Sequence, residues 1–205
     1  RTFPLAFRTV RLLDEPDEAG RCFGLEVNDR PPFCQGVNWV PRSLLADVDS
    51  QFRKPGATPA DAAAANCNLI RVWGGGGYES DEFYDACDEL GLLVWQDFPF
   101  ACAMYPEEPP YPALIETEAR YNIARLSPHP SLALWCGGNE CVWAHRDWGF
   151  GERLAASQPW GEKYYFDLLP RLVAELDPTR PYWPNTPYSG DVPQPPSAVG
   201  GAGSV

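Results

Sequence analysis

Three stretches of this chain are apolar at consecutive positions and then stop at glycine or a polar cluster: "LIRVWGGGG" (69–77), "LLVWQDF" (92–98) and "SLALWCGGNE" (131–140). Strands that can be buried on both faces are the mark of a parallel sheet covered by helices. The intervening segments supply those helices. Residues 58–66, "TPADAAAAN", open with a Thr cap and a Pro at the first helical position. Residues 79–90, "ESDEFYDACDEL", place Phe83, Cys87 and Leu90 on one face, and Gly91 is the natural stop. Residues 113–126 read as a third helix with Leu114, Ala119, Tyr121 and Leu126 as apolar contacts, and 162–176 as a fourth. "FCQGVNWVP" (33–41) and "RPYWPNTP" (180–187) add a strand at each end, while "LAFRTVRLL" (5–13) and "CFGLEVN" (22–28) read as separate, alternating strands. The expectation is an α/β fold. In both doubly wound sheets and (β/α)8 barrels, the carboxyl ends of the strands carry the site.

Those ends are Asn38-Trp39, Arg71-Trp73, Gln96-Asp97, Asn139-Glu140 and Asn185. Glu140 stands out, because an ionisable carboxylate at the tip of a buried strand is rare unless it is paired or used. One reading matches it with Arg71 or a backbone donor. The other places it among Trp135, Trp143 and Cys136, where a desolvated carboxyl group suits a general acid. The tryptophans at 39, 73, 95, 135, 143 and 183 fall in or beside strand ends, and a group of aromatic faces there would stack on uncharged rings such as sugars. Asn38, Gln96 and Asn139 could read hydroxyls beside them.

The formal net charge of -12 disfavours nucleic acid and anionic membranes as partners. Gly74–Gly77 has the layout of a phosphate cradle but lacks the G-K-[ST] sequence, and the acidic "ESDE" that follows would repel an anion. Its glycines are expected to turn the backbone sharply and keep the strand mouth open. The seven cysteines show no CxxC and no metal spacing, so they are expected to pack as small hydrophobes in a reducing compartment, the cytoplasm first. The chain starts at Arg1, so a lysosomal or secreted protein with a lost leader fits as well. His129 and His145 are expected at the surface or at caps, and no metal or organic cofactor is implied.

The block "LIRVWGGGGYESDEFYDACDELGLLVWQDFPFACAMYP" followed by "HPSLALWCGGNE" resembles the β-mannosidases of glycoside hydrolase family 2. "FCQGVNWVP" resembles that family's first barrel strand, and "AFRTVRLL" the end of the immunoglobulin-like sandwich before it; the likeness runs over residues 5 to 190. It implies sandwich strands in residues 1–30 and strands one to about five of a (β/α)8 barrel in 31–190; the Pro/Gly/Ala/Ser-rich composition of 191–205 reads separately as a disordered low-complexity tail or an artefact of truncation. The likeness also implies a retaining exo-acting enzyme that removes terminal β-D-mannose from β-mannosides or oligosaccharides. Glu140 would be its general acid/base and Asn139 would hydrogen-bond a sugar hydroxyl. Arg71 would keep the nucleophile ionised, and Trp73, Trp95, Asp97, Asn38 and Trp183 would line the pocket. The family's nucleophile is a Glu from a later strand, and Glu152, Glu162 and Glu175 lie on or before a helix. The chain is therefore expected to be a fragment, unstable and inactive alone. A non-catalytic sugar-binding remnant, or a β-galactosidase or β-glucuronidase specificity, are the alternatives. Sugar affinity surviving Glu140→Gln without hydrolysis would mark the first; the choice among aryl glycosides would separate the others.

Overall fold

The computed structural model describes residues 5–18, 20–41, 57–155 and 158–190; the expected tail at 191–205 lies outside them. An antiparallel pair comes first, β1 (Val10–Leu13) with β4 (Gly24–Val27), and a short hairpin of β2 (Pro16–Asp17) and β3 (Gly20–Arg21) joins them. Five parallel strands follow: β5 (Gly36–Trp39), β6 (Leu69–Val72), β7 (Leu93–Asp97), β8 (Leu132–Cys136) and β9 (Tyr182–Trp183). They lie side by side in chain order. A doubly wound sheet reverses its order at the site; no reversal occurs among these five.

Helices fill the crossovers. In α1 (Pro59–Ala64), Thr58 and Asp61 form a reciprocal capping box. The next, α2 (Asp81–Leu90), ends on Gly91 in the left-handed conformation at φ 70°. After it come α3 (Tyr111–Leu126), α4 (Cys141–Asp147), α5 (Phe150–Arg153), a π-helical turn at Tyr164–Leu168 and α6 (Leu169–Leu176). Pro170 accounts for the π turn, since its ring collides with the carbonyl four residues back and it offers no N–H. No helix among the described residues is long and apolar enough to cross a membrane.

The two sheet faces divide by alternation along each strand, with one slip in β8, where Ala133 and Leu134 fall on the same face. Ile70, Val72, Val94, Leu132 and Trp135 point to the helices and join the main core with Phe83, Cys87, Ile123 and Leu172. Leu69, Trp95, Leu134, Cys136 and Trp183 point the other way, where Leu25 packs with them and Val10, Leu12 and Phe23 add cover from the first strands. Three expected contacts fail. Leu114 and Tyr121 are 60% and 68% exposed, and Leu90 is 43% exposed. The α3 helix turns Ala119, Asn122, Ile123 and Leu126 inward instead, and Tyr84 takes the place expected for Leu90 in α2. Gly36 explains how β5 approaches β6 so closely: a Cβ there would stand 2.9 Å from the Leu69 carbonyl oxygen.

Candidate active site

Parity also builds the site. Asn38 sits opposite Arg71 in the β5–β6 register, and Arg71 sits opposite Trp95 in the β6–β7 register. All three therefore share the inner face, with Asp97 one alternation further along β7. The Arg71 guanidinium is the hub. Its Nη2 donates to Asp97 Oδ2 (2.7 Å), Asn139 Oδ1 (2.9 Å) and Thr186 Oγ1 (2.6 Å), its Nη1 to Asn38 Oδ1 (3.0 Å), and its Nε to Asp97 Oδ1 (3.3 Å). One planar fork thus ties four strand ends together, which a lysine could not do.

The Asp97 side chain is fully buried. Burial pushes its carboxyl upward, opposed by the charge and hydrogen bonds of Arg71 and by the Gly74 amide. The Gly74 N–H donates to Oδ2 at 3.0 Å and the Trp95 indole to Oδ1 at 3.1 Å, so both oxygens are satisfied. The pair is structural in geometry: a carboxylate held by a guanidinium on one side and neutral donors on the other.

After β8 the chain continues through Gly137 and Gly138, where a Cβ would lie 2.2 Å from the Pro184 carbonyl and 2.9 Å from the Phe100 Cβ. That close passage lets single parallel bridges form from Asn139 to Ala101 and to Thr186. The Asn139 N–H donates to the Phe100 carbonyl, the Cys102 N–H to the Asn139 carbonyl, and the Glu140 N–H to the Thr186 carbonyl. Asn139 is buried, and its Nδ2 donates to Cys102 Sγ at 3.4 Å. Glu140 then adopts a left-handed conformation, φ 61°, and starts α4. Its carboxylate accepts the Cys102 thiol at 3.0 Å.

The surroundings of Glu140 differ from those expected. Trp135 faces the helices and donates its indole to Asp177, and Cys136 lies inside the inner-face cluster. Period-two alternation separates them, since Trp135 and Cys136 are neighbours on one strand. Glu140 is half-buried, and Arg71 is not its hydrogen-bond partner. Cys102 is the residue that sequence reading assigned to packing. The Glu140 acceptor was invisible there, because a loop brings it back from thirty-eight residues away. Burial first, and the Glu140 carboxylate second, push the thiol up to about 11, so it stays a donor at neutral pH.

The tryptophans do not share one rim. Trp39 donates to Glu79 and packs on Phe83. Trp73 is half-buried, with Gly75 lying against its ring so closely that a Cβ there would be 1.9 Å from it. The glycine run therefore packs tightly rather than holding a mouth open. Trp95 and Trp183 are buried on the inner face, each against Phe23. Trp143 pairs with Trp148. Gln96 bonds to the Tyr84 hydroxyl and the Asp97 carbonyl, which occupies it on the helix side. Asn38 is exposed except for its bond to Arg71, and Trp73 and Trp183 stand outside the hydrogen-bond network described for Arg71.

One group with metal-ligand chemistry is found among the described residues, Asp85, Asp88 and His129. It lies at the opposite end of β8, where Asp88 bonds the His129 ring at 2.7 Å and accepts the Ser131 N–H, so we read it as a cap on the strand's start. His145 stacks on Trp160 at 4.2 Å. All seven cysteines are free.

No protein-family model matches the chain. It is 37% identical over 191 residues to a β-mannosidase of Bos taurus, and 37% identical over 191 residues to β-mannosidase B of Emericella nidulans. These alignments cover 90% and 88% of this chain but 21% and 22% of those relatives. Among solved structures, a β-D-mannosidase from Dictyoglomus thermophilum matches 91% of this chain and 23% of its own, with a TM-score of 0.78 and 40% identity. A β-glucuronidase of Bacteroides uniformis shares the fold at a TM-score of 0.63 and 23% identity, covering 87% of this chain and 20% of its own. The chain spans about a fifth of the length of the curated relatives it matches. It is accordingly a homologue of the β-mannosidases, themselves glycoside hydrolases, and corresponds to one part of such a chain.

Proposed function

We propose that this chain carries the acid/base half of a retaining, exo-acting β-mannosidase site, working on terminal β-D-mannose of β-mannosides or oligosaccharides. The observation that carries the reading is Glu140 itself. It is a half-buried carboxylate, held by its own backbone in a left-handed turn at the end of a strand, beside an asparagine locked by Arg71. In this reading β5–β9 are the first five strands of a (β/α)8 barrel, residues 1–30 close an immunoglobulin-like sandwich, and 31–190 form the barrel part. Glu140 protonates the glycosidic oxygen as the bond to the anomeric carbon breaks, then removes a proton from the water that resolves the glycosyl intermediate. Asn139 keeps a second amide proton beyond the one given to Cys102, and that proton is the donor to a sugar hydroxyl. Trp73 walls the sugar, while Trp95, buried against Phe23, acts through its bond to Asp97.

A retaining mechanism needs a second carboxylate about 5–5.5 Å from the first. Asp97 is ill suited, because its two oxygens already receive Arg71, Gly74 and Trp95. In this reading the attacking carboxylate comes from outside the described residues, and residues 1–205 alone do not turn over. The test is 4-nitrophenol release from aryl β-mannoside, β-glucoside and β-galactoside by residues 1–205 and by a longer protein supplying a further strand-end carboxylate, each with a Glu140→Ala version. Expected is β-mannoside turnover in the longer protein only, lost with Glu140→Ala and partly restored by azide on an activated aryl substrate. Turnover indifferent to Glu140 would remove the reading. Turnover by residues 1–205 that depends on Glu140 would remove only the split between two parts of a chain.

A further inference from the structure

A glutamate at the first position of a helix faces two demands. Side chains there ordinarily accept the N–H of the second or third helical residue, which otherwise has no partner inside the helix. Glu140 occupies that position in α4 yet makes no such bond; its carboxylate is turned to Cys102. The bond is supplied from another strand. Asn185, just past β9 and fully buried, accepts the Val142 N–H with its Oδ1 at 3.3 Å. The next residue, Thr186, takes the Glu140 N–H on its carbonyl at 2.6 Å and gives its hydroxyl to Arg71. Asn185 does this at a cost, since its buried Nδ2 finds no nitrogen or oxygen acceptor and has only the Cys141 sulfur, a weak one, to donate to. An apolar side chain would fill the same space more favourably if packing were all that mattered there.

We propose that Asn185 is a positioning residue that caps α4 in place of Glu140 and so leaves the Glu140 carboxylate free for substrate. Without it, the Glu140 carboxylate would serve the uncapped N–H groups by folding back onto its own helix and leaving Cys102. The inference rests on the acid/base reading of Glu140 for its meaning, but the positional claim can be tested apart from any hydrolysis.

Cys102 is the reporter, because Glu140 is one of the groups that raise its thiol. The experiment follows iodoacetamide labelling of individual cysteines against pH, by peptide mass spectrometry, in residues 1–205 with Asn185 intact, with Asn185→Leu, and with Asn185→Asp. Leu removes the acceptor while keeping the branch at Cγ, whereas Asp keeps an acceptor oxygen. Cys87 is buried among the helices and pushed up to about 12, chiefly by burial, so it reports opening of the fold. Expected is about tenfold faster Cys102 labelling at pH 9 in Asn185→Leu, as the like charge leaves, with Asn185→Asp unchanged and Cys87 inert throughout. An unchanged Cys102 profile in Asn185→Leu overturns the proposal. So does a rise in Cys87 labelling alongside Cys102, which would make Asn185 a packing residue. Hydrolysis indifferent to Glu140 in the tests above, with the labelling as expected, would remove the acid role and leave the capping role standing.

Discussion

Arg71 shows how one side chain can be both a sequence signal and a structural surprise. Its place at a strand end marks it as part of a site, but its five bonds mark it as the tie between β5, β6, β7 and the segments after β8 and β9. Breaking a buried ion pair by removing one partner costs about 3–5 kcal/mol, because the other charge stays buried. Arg71→Met should therefore lower urea-unfolding stability by about that much, and adding Asp97→Asn should recover part of it. Strictly additive losses would show that the two residues do not act as a pair. Cys102 makes the opposite point. Nothing in "FACAMYP" singles out its sulfur; only folding brings it against Glu140, and the chain must place both residues at positive φ, 52° and 61°, to do so.

At the level of elements, the parallel strands were legible because doubly apolar runs have few other uses, and all five appear within the expected segments. Which face each residue took was less legible. Trp135 and Gln96 go to the helices by alternation, and the slip in β7–β8 pairing at Val94/Trp95 resets that alternation in a way no periodicity reveals. Helices α4 and α5 also escaped notice, since their aromatic and glycine-containing sequence carries no clean amphipathic period. The turn after β6 supplies a sharp contrast within one glycine run. A Cβ at Gly75 would enter the Trp73 ring, while a Cβ at Gly77 meets nothing within 4 Å. Gly75→Ala should displace Trp73, visible as a shift in tryptophan emission and as weaker binding of a mannoside analogue. Gly77→Ala should be neutral or add roughly 0.4–1 kcal/mol by restricting the unfolded chain. Equal effects at both positions would contradict the packing described for Trp73.

For the molecule as a whole, several groups bind their protons more tightly folded than unfolded. Burial raises Cys102 to about 11 and Cys87 and Tyr164 to about 12, from ordinary values of 9.0 for the thiols and 10.0 for the phenol. Their contribution to stability is complete below pH 9 and is lost as the pH climbs through those raised values. At the acid end Asp88 behaves in reverse. Burial pushes it up, but hydrogen bonds from His129 and Ser131 outweigh that and lower it, so its contribution disappears as pH falls below the ordinary 3.8. Urea midpoints should be flat from pH 7.5 to 8.5 and decline from pH 9 upward; a flat profile to pH 11 would mean the thiols are not buried as described. The left-handed turn at Glu140 has a consequence of another kind. A non-glycine residue held there costs roughly 1–2 kcal/mol, least for asparagine among side chains. Glu140→Asn should consequently raise the melting temperature by about 2–4 °C. A library sorted for heat resistance alone would enrich that variant; with Glu140 as the proposed acid/base, selection for durability and selection for catalysis would then pull in opposite directions at this position.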